Sequence, residues 1–107
     1  MRRHTRVTGD TKIGFVLECE RSFQVSEVRL HLNASSNAED YLIISLDALA
    51  GPEYDIFFVT QDMIDVADYV WLPTRPHDFV VGDKLRINMI NPEHRIYGIE
   101  IVWSWVA

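Results

Sequence analysis

The chain has one cysteine, Cys19, so no disulfide can form within its 107 residues. Cys19 lies in Phe15-Val16-Leu17-Glu18-Cys19-Glu20, a strand-like run, and reads as a buried, inert thiol. No apolar run approaches the roughly 18 residues of a membrane-spanning helix. The first residues lack the apolar core of a secretory signal, so the expectation is a chain made and assembled in a cytoplasm. Positive charge is scarce, with 10 basic residues against 16 acidic and a net charge of −6. A nucleic-acid partner needs a positive face, and the acidic body excludes that class.

Chemistry-bearing motifs are also missing. His4, His31, His77 and His94 are scattered, with no metal-ligand spacing to one another or to Cys19. Asp62, Asp65 and Asp68, with Asp55 and Asp78 nearby, offer the oxygens that calcium takes. They lack the EF-hand spacing and its glycine, and read as a solvated acidic loop. The serines sit in no nucleophile elbow. Gly51-Pro52 and Gly82-Asp83 are not glycine-rich loops before a helix, so no phosphate cradle is expected. No matched acid and base is visible, so the expectation is a protein that is not an enzyme and carries no cofactor or metal.

What the chain does have is alternation. Hydrophobic residues make up 48% of it, enough for one core. Leu85, Ile87 and Met89 alternate with Lys84, Arg86 and Asn88; Tyr97, Ile99, Ile101, Trp103 and Trp105 share one parity. A period of two marks strands apolar on one face. With Asn91-Pro92-Glu93-His94-Arg95 as a turn between them, the two runs predict a hairpin that closes the core. Further strands are predicted over 13–20, 23–33, 41–47, 54–60, 68–72 and 79–81. In the second, Phe23 and Val25 are odd but Val28, Leu30 and Leu32 are even, so a bulge is expected at Ser26-Glu27. Arg29, His31 and Asn33 then face outward. Seven to eight short strands with turn residues between them predict an all-β fold: an antiparallel β-sandwich of jelly-roll type.

Residues 1–11 read as an extended basic N-terminal arm and 12–107 as a single β-sandwich domain. Residues 1–12 carry a net +3 and the remainder −9. The arm reads either as a solvated, frayed terminus or as a segment that docks on an acidic surface, such as that of a neighbouring copy, and its removal is expected to leave the fold intact. Aromatic residues compete with aliphatic ones for the inside in several strands: Tyr41 with Ile43, Phe57 with Val59, Tyr69 with Trp71. Apolar surface left outside would be covered by a subunit, by a loop or by a ligand. The candidate subunit interface is therefore Arg2, Arg3, Arg6, Tyr41, Ile43, Phe57, Tyr69 and Trp71.

Val25 to Asn33, Gly51-Pro52-Glu53-Tyr54-Asp55, Thr60-Gln61-Asp62-Met63, Gly82-Asp83-Lys84-Leu85-Arg86 and Tyr97 to Trp103 together look familiar. The pattern is similar to small β-sandwich virion proteins of tailed bacteriophages, of the decoration or fibre-associated kind. The likeness spans most of residues 23–103 and leaves out the basic arm. It implies a non-enzymatic virion subunit that contacts capsid, fibre or tail proteins, oligomerises, and touches neither nucleic acid nor membrane. It supplies no catalytic residues. The alternative is a carbohydrate-binding module, with rings lined up on one face beside Arg29, His31 and Asn33.

Overall fold

The computed structural model describes residues 2–106; Met1 of the expected arm and Ala107 lie outside the described residues. Nine strands follow in order: β1 (Arg2–Gly9), β2 (Ile13–Glu18), β3 (Phe23–Leu32), β4 (Tyr41–Asp47), β5 (Ile56–Asp62), β6 (Asp68–Trp71), β7 (His77–Phe79), β8 (Lys84–Met89) and β9 (Tyr97–Trp105). A 3-10 turn, Pro52–Tyr54, precedes β5. They form two antiparallel sheets, β1-β9-β3-β6, with β7 also on β3, and β2-β8-β4-β5.

The pairing is nested: β1 with β9, β2 with β8, β3 with β6, β4 with β5. The chain is thus one long folded ribbon, wrapped so that β3 meets β9 and β4 meets β8. That wrapping is the jelly roll, and it bears out the expected fold class. Seven of the eight predicted strands are present over most of their length; the one expected over 79–81 lies instead at His77–Phe79, with Val80 and Val81 in the turn that follows, and β1 is the ninth strand.

Alternation does the packing. Leu42, Ile44 and Leu46 of β4, Leu85, Ile87 and Met89 of β8, and Tyr97, Ile99, Ile101 and Trp103 of β9 are buried between the layers. The expected bulge lies between Val25 and Glu27, where the β3–β9 register shifts. Ser26 is the extra residue, and its Oγ donates to the Val102 carbonyl at 3.1 Å. The slip returns Val28, Leu30 and Leu32 to the core and turns Arg29, His31 and Asn33 outward.

Two expectations are corrected here. The runs 84–89 and 97–105 do not form a hairpin; β8 and β9 lie in opposite sheets. Both are apolar on one face, and those faces meet across the sandwich instead of side by side. The connection crosses the end of the sandwich through a buried polar knot. Asn91 and His94 take left-handed backbone angles, with φ of 53° at each. Asn91 Nδ2 donates to the carbonyls of Thr11 and Arg95 at 3.0 and 2.9 Å, and the Arg95 amide donates to Asn91 Oδ1 at 3.1 Å. Arg95 reaches Asp40 at 3.3 Å, with both side chains buried.

Of the expected arm, Arg2 to Gly9 are extended, and Asp10-Thr11 bends; the extended part is not a separate arm. Arg2 to Gly9 pair with β9 residue for residue, from Arg2 opposite Ser104 to Gly9 opposite Tyr97. Thr5 and Val7 point inward and His4, Arg6 and Thr8 outward, the alternation of a half-buried strand. The domain therefore starts at Arg2, and removing residues 1–8 would strip an edge strand from the first sheet.

Candidate functional site

The outer face of the second sheet carries the largest uncovered apolar feature. One row across it runs Gly14, Asn88, Ile43 and Thr60; the next runs Val16, Arg86, Ser45 and Phe57. Gly14, which has open space above its Cα, and the small Ser45 keep the floor of this face low. Tyr41, Phe57 and Ile90 stand above it, exposed by 41%, 71% and 71%. The result is a groove of about 530 Å³ lined by Tyr41, Ile43, Ser45, Phe57, Asn88 and Ile90, with Lys12 and Glu39 at its rim. Three of the expected interface residues, Tyr41, Ile43 and Phe57, meet here.

Tyr69 and Trp71 do not join them. Both turn inward from β6 and pack against the core, while Val70 takes the outer face. Each lies opposite an inward-facing residue of β3, Trp71 opposite Val28 and Tyr69 opposite Leu30, and cross-strand partners share a face. The β4–β5 register shifts between Ile44 and Ser45, leaving Phe58 unpaired. Phe58 turns in and stacks on Trp71, ring centroids 5.1 Å apart. Offset stacking of this kind fixes the inward rotamers of both rings.

The outer face of the first sheet is polar. Gly98 sits between Thr8 and His31, and Glu100 between Arg6 and Arg29. These residues, with Asp68 and Val70, line a shallow groove of about 400 Å³. The charges are largely matched: His31 with Asp68, Arg29 with Glu27, and Glu100 with His4 and Arg6 at 3.6 and 3.9 Å. Asn33 is committed to the backbone, accepting from the Ile96 amide at 3.0 Å. The polar set expected beside the rings in a glycan site, Arg29, His31 and Asn33, is thus on the opposite sheet from Tyr41 and Phe57.

The three candidate arginines have separate surroundings. Arg2 is exposed and forms no ion pair among the described residues. Arg6 reaches only Glu100. Arg3 lies over the rings of Trp103 and Trp105, 5.9 and 5.4 Å from their centroids, and Arg21 lies 4.8 Å from that of Trp105. This cation–π stack closes one end of the sandwich. Cys19 is nearby, but it lies just past β2 and is half-buried, not buried in a strand as expected; partial burial still pushes its thiol up from the ordinary range, opposed by the Arg3 charge. A raised thiol is a poor nucleophile, in keeping with the inert reading.

In the acidic stretch, Asp62 accepts the Ile64 amide at 2.9 Å and Asp68 pairs with His31. Among the described residues no three His, Cys, Asp or Glu side chains are placed to hold a metal ion. No helix is long and apolar enough to cross a membrane.

Sequence reasoning missed Asn88 and Ile90 as groove residues. The signal for Asn88 was present: it shares the outward parity of Lys84 and Arg86. Neither protein-family models nor curated proteins give a match to this chain.

Proposed function

We propose that the chain is a non-enzymatic structural subunit that works through protein–protein contacts, as in the jelly-roll virion proteins of tailed bacteriophages that its sequence resembles. Its place would be the virion, against capsid, fibre or tail subunits and further copies of itself. The observation that carries this reading is the exposed aromatic and aliphatic face of the second sheet. Phe57 is 71% exposed on β5, beside the Phe58 bulge, and its ring lies outside the core. Burying such a side chain on a partner contributes about 1.5–3 kcal/mol, and aromatic residues of this kind anchor interfaces.

The test is incorporation into particles. Phe57→Lys is expected to lower the chain's copy number in purified virions at least tenfold, a loss of about 1.4 kcal/mol or more, while Phe57→Leu keeps it near normal. Wild-type chain absent from particles, or Phe57→Lys incorporated at the wild-type level, would overturn the reading.

A second reading has one observation in its favour. Tyr41 and Phe57 share their groove with Ser45, Asn88, Lys12 and Glu39, so flat rings and hydrogen-bonding groups converge, as sugar binding requires. Glycan-array hits that disappear in Phe57→Ala would establish it in place of the protein contact.

A further inference from the structure

The two sides of the sandwich carry opposite charge. A three-residue link joins β1 to β2, so both lie on one side; Phe58 of β5 stacks on Trp71 of β6, so those two lie on the other. The β1 side presents Arg2, Arg3, Arg6 and Lys12, all exposed. The β5 side presents Glu53, Asp55, Asp62, Asp65 and Asp68, all exposed, and residues 48–74 contain no lysine or arginine.

Each side also ends in an open strand. Among the described residues β1 pairs only with β9, and β5 only with β4. An unpaired edge offers a row of free N–H and C=O groups to another strand. Folds blunt such edges with lysine, proline or bulges; β5 (Ile-Phe-Phe-Val-Thr-Gln-Asp) has neither lysine nor proline, and past its bulge at Phe58 the stretch Val59 to Asp62 is regular. Its neighbour β6 is only four residues long and is followed by Pro73 and Pro76. The seven residues of β5 match the eight of β1 in length.

We infer that the β1 edge of one copy docks along the β5 edge of a second copy, a head-to-tail contact in which Arg2 and Arg6 face the Glu53–Asp62 side. The inference rests on the reading of the chain as an assembling subunit and names the partner as the chain itself. A heterologous contact of this kind repeats, giving a ring if the rotation closes and a filament if it does not. It is held partly by charge, so it weakens as salt shortens the screening length.

Sedimentation velocity of the intact chain tests this. Species larger than one chain are expected at about 50 mM salt and mostly single chains at about 500 mM, as the screening length falls. Arg2→Glu/Arg6→Glu and Glu53→Lys/Asp62→Lys should each weaken self-association at least tenfold. Mixed in equal amounts, the two variants should assemble again, because both junctions of the alternating array are then complementary. Single chains only from the wild type at low salt would overturn the inference, as would assembly that survives either reversal or a mixture that stays apart. The wild-type salt series stands even if a variant folds poorly. Assembly lost in Phe57→Lys but kept in both charge reversals would overturn the edge contact and leave the face contact in place.

Discussion

Arg95→Met is expected to cost about 3–5 kcal/mol of folding stability, the range for removing one partner of a buried ion pair. Arg95 and Asp40 are both buried, with side-chain exposures of 6% and 0%. Arg95 Nη1 also donates to the Ala34 carbonyl at 3.3 Å, and the Asn91 amide to Asp40 Oδ1 at 3.4 Å. The substitution leaves the buried Asp40 carboxylate with one long hydrogen bond. A charge so placed is far costlier than the pair was worth. Among the described residues Arg95 Nε has no hydrogen-bond partner, so the pair itself is not fully satisfied. The double replacement Asp40→Leu/Arg95→Met should therefore recover much of the loss. Urea unfolding of the two variants measures both effects. A single substitution costing under about 1 kcal/mol, the range of surface pairs, would mean that water reaches the pair.

Phe79→Ala is expected to cost a similar amount, about 3–5 kcal/mol. Phe79 is fully buried, stacks on Phe23 with centroids 4.7 Å apart, and meets Phe58 at 6.0 Å. It belongs to a strand of only three residues, so this side chain holds β7 to the body more than backbone pairing does. Truncation removes the ring from Phe23, Phe58 and the His77 imidazole, 5.2 Å away, and leaves a cavity that rigid strands on both sides cannot close. Domains of this size are stable by roughly 5–15 kcal/mol, so the variant should sit near the edge of folding at 37 °C. Phe79→Leu should cost less than half as much. Thermal unfolding checks both, and equal losses for Ala and Leu would mean that the ring packing is not what stabilises β7.

The strands were legible where one face was plainly apolar. Tyr41–Asp47 has the bounds that alternation gives it, and the parity change in Phe23–Leu32 located the bulge to the pair Ser26-Glu27, of which Ser26 is the extra residue. The first strand was hidden because Val7 is the only aliphatic residue among Arg2–Gly9. Its partner β9 supplies the apolar surface, and a local pattern does not contain its partner. What the sequence did offer was Thr5, Val7 and Thr8, β-branched residues in a segment that otherwise reads as charge.

The relation of β8 to β9 was illegible for a different reason. Two amphipathic strands look alike whether they pair edge to edge or pack face to face. The decision is made by Asp40, some fifty residues earlier in the chain, which draws Arg95 into the end of the sandwich. For the candidate site, Tyr41, Ile43 and Phe57 were readable because their strands bury an unambiguous opposite face. Tyr69-Val70-Trp71-Leu72 is apolar at both parities, and the choice falls to the register with β3, a distant partner, which sets Trp71 opposite Val28 and Tyr69 opposite Leu30.

Native-state hydrogen exchange over Arg2 to Gly9 tests the central claim most directly: the basic segment is an edge strand with one side bonded and one side open. Every second amide of the segment should be strongly protected through its bond to β9, with the intervening amides exchanging quickly in the single chain. Uniformly fast exchange across all of these residues would mean a free arm and would contradict the account.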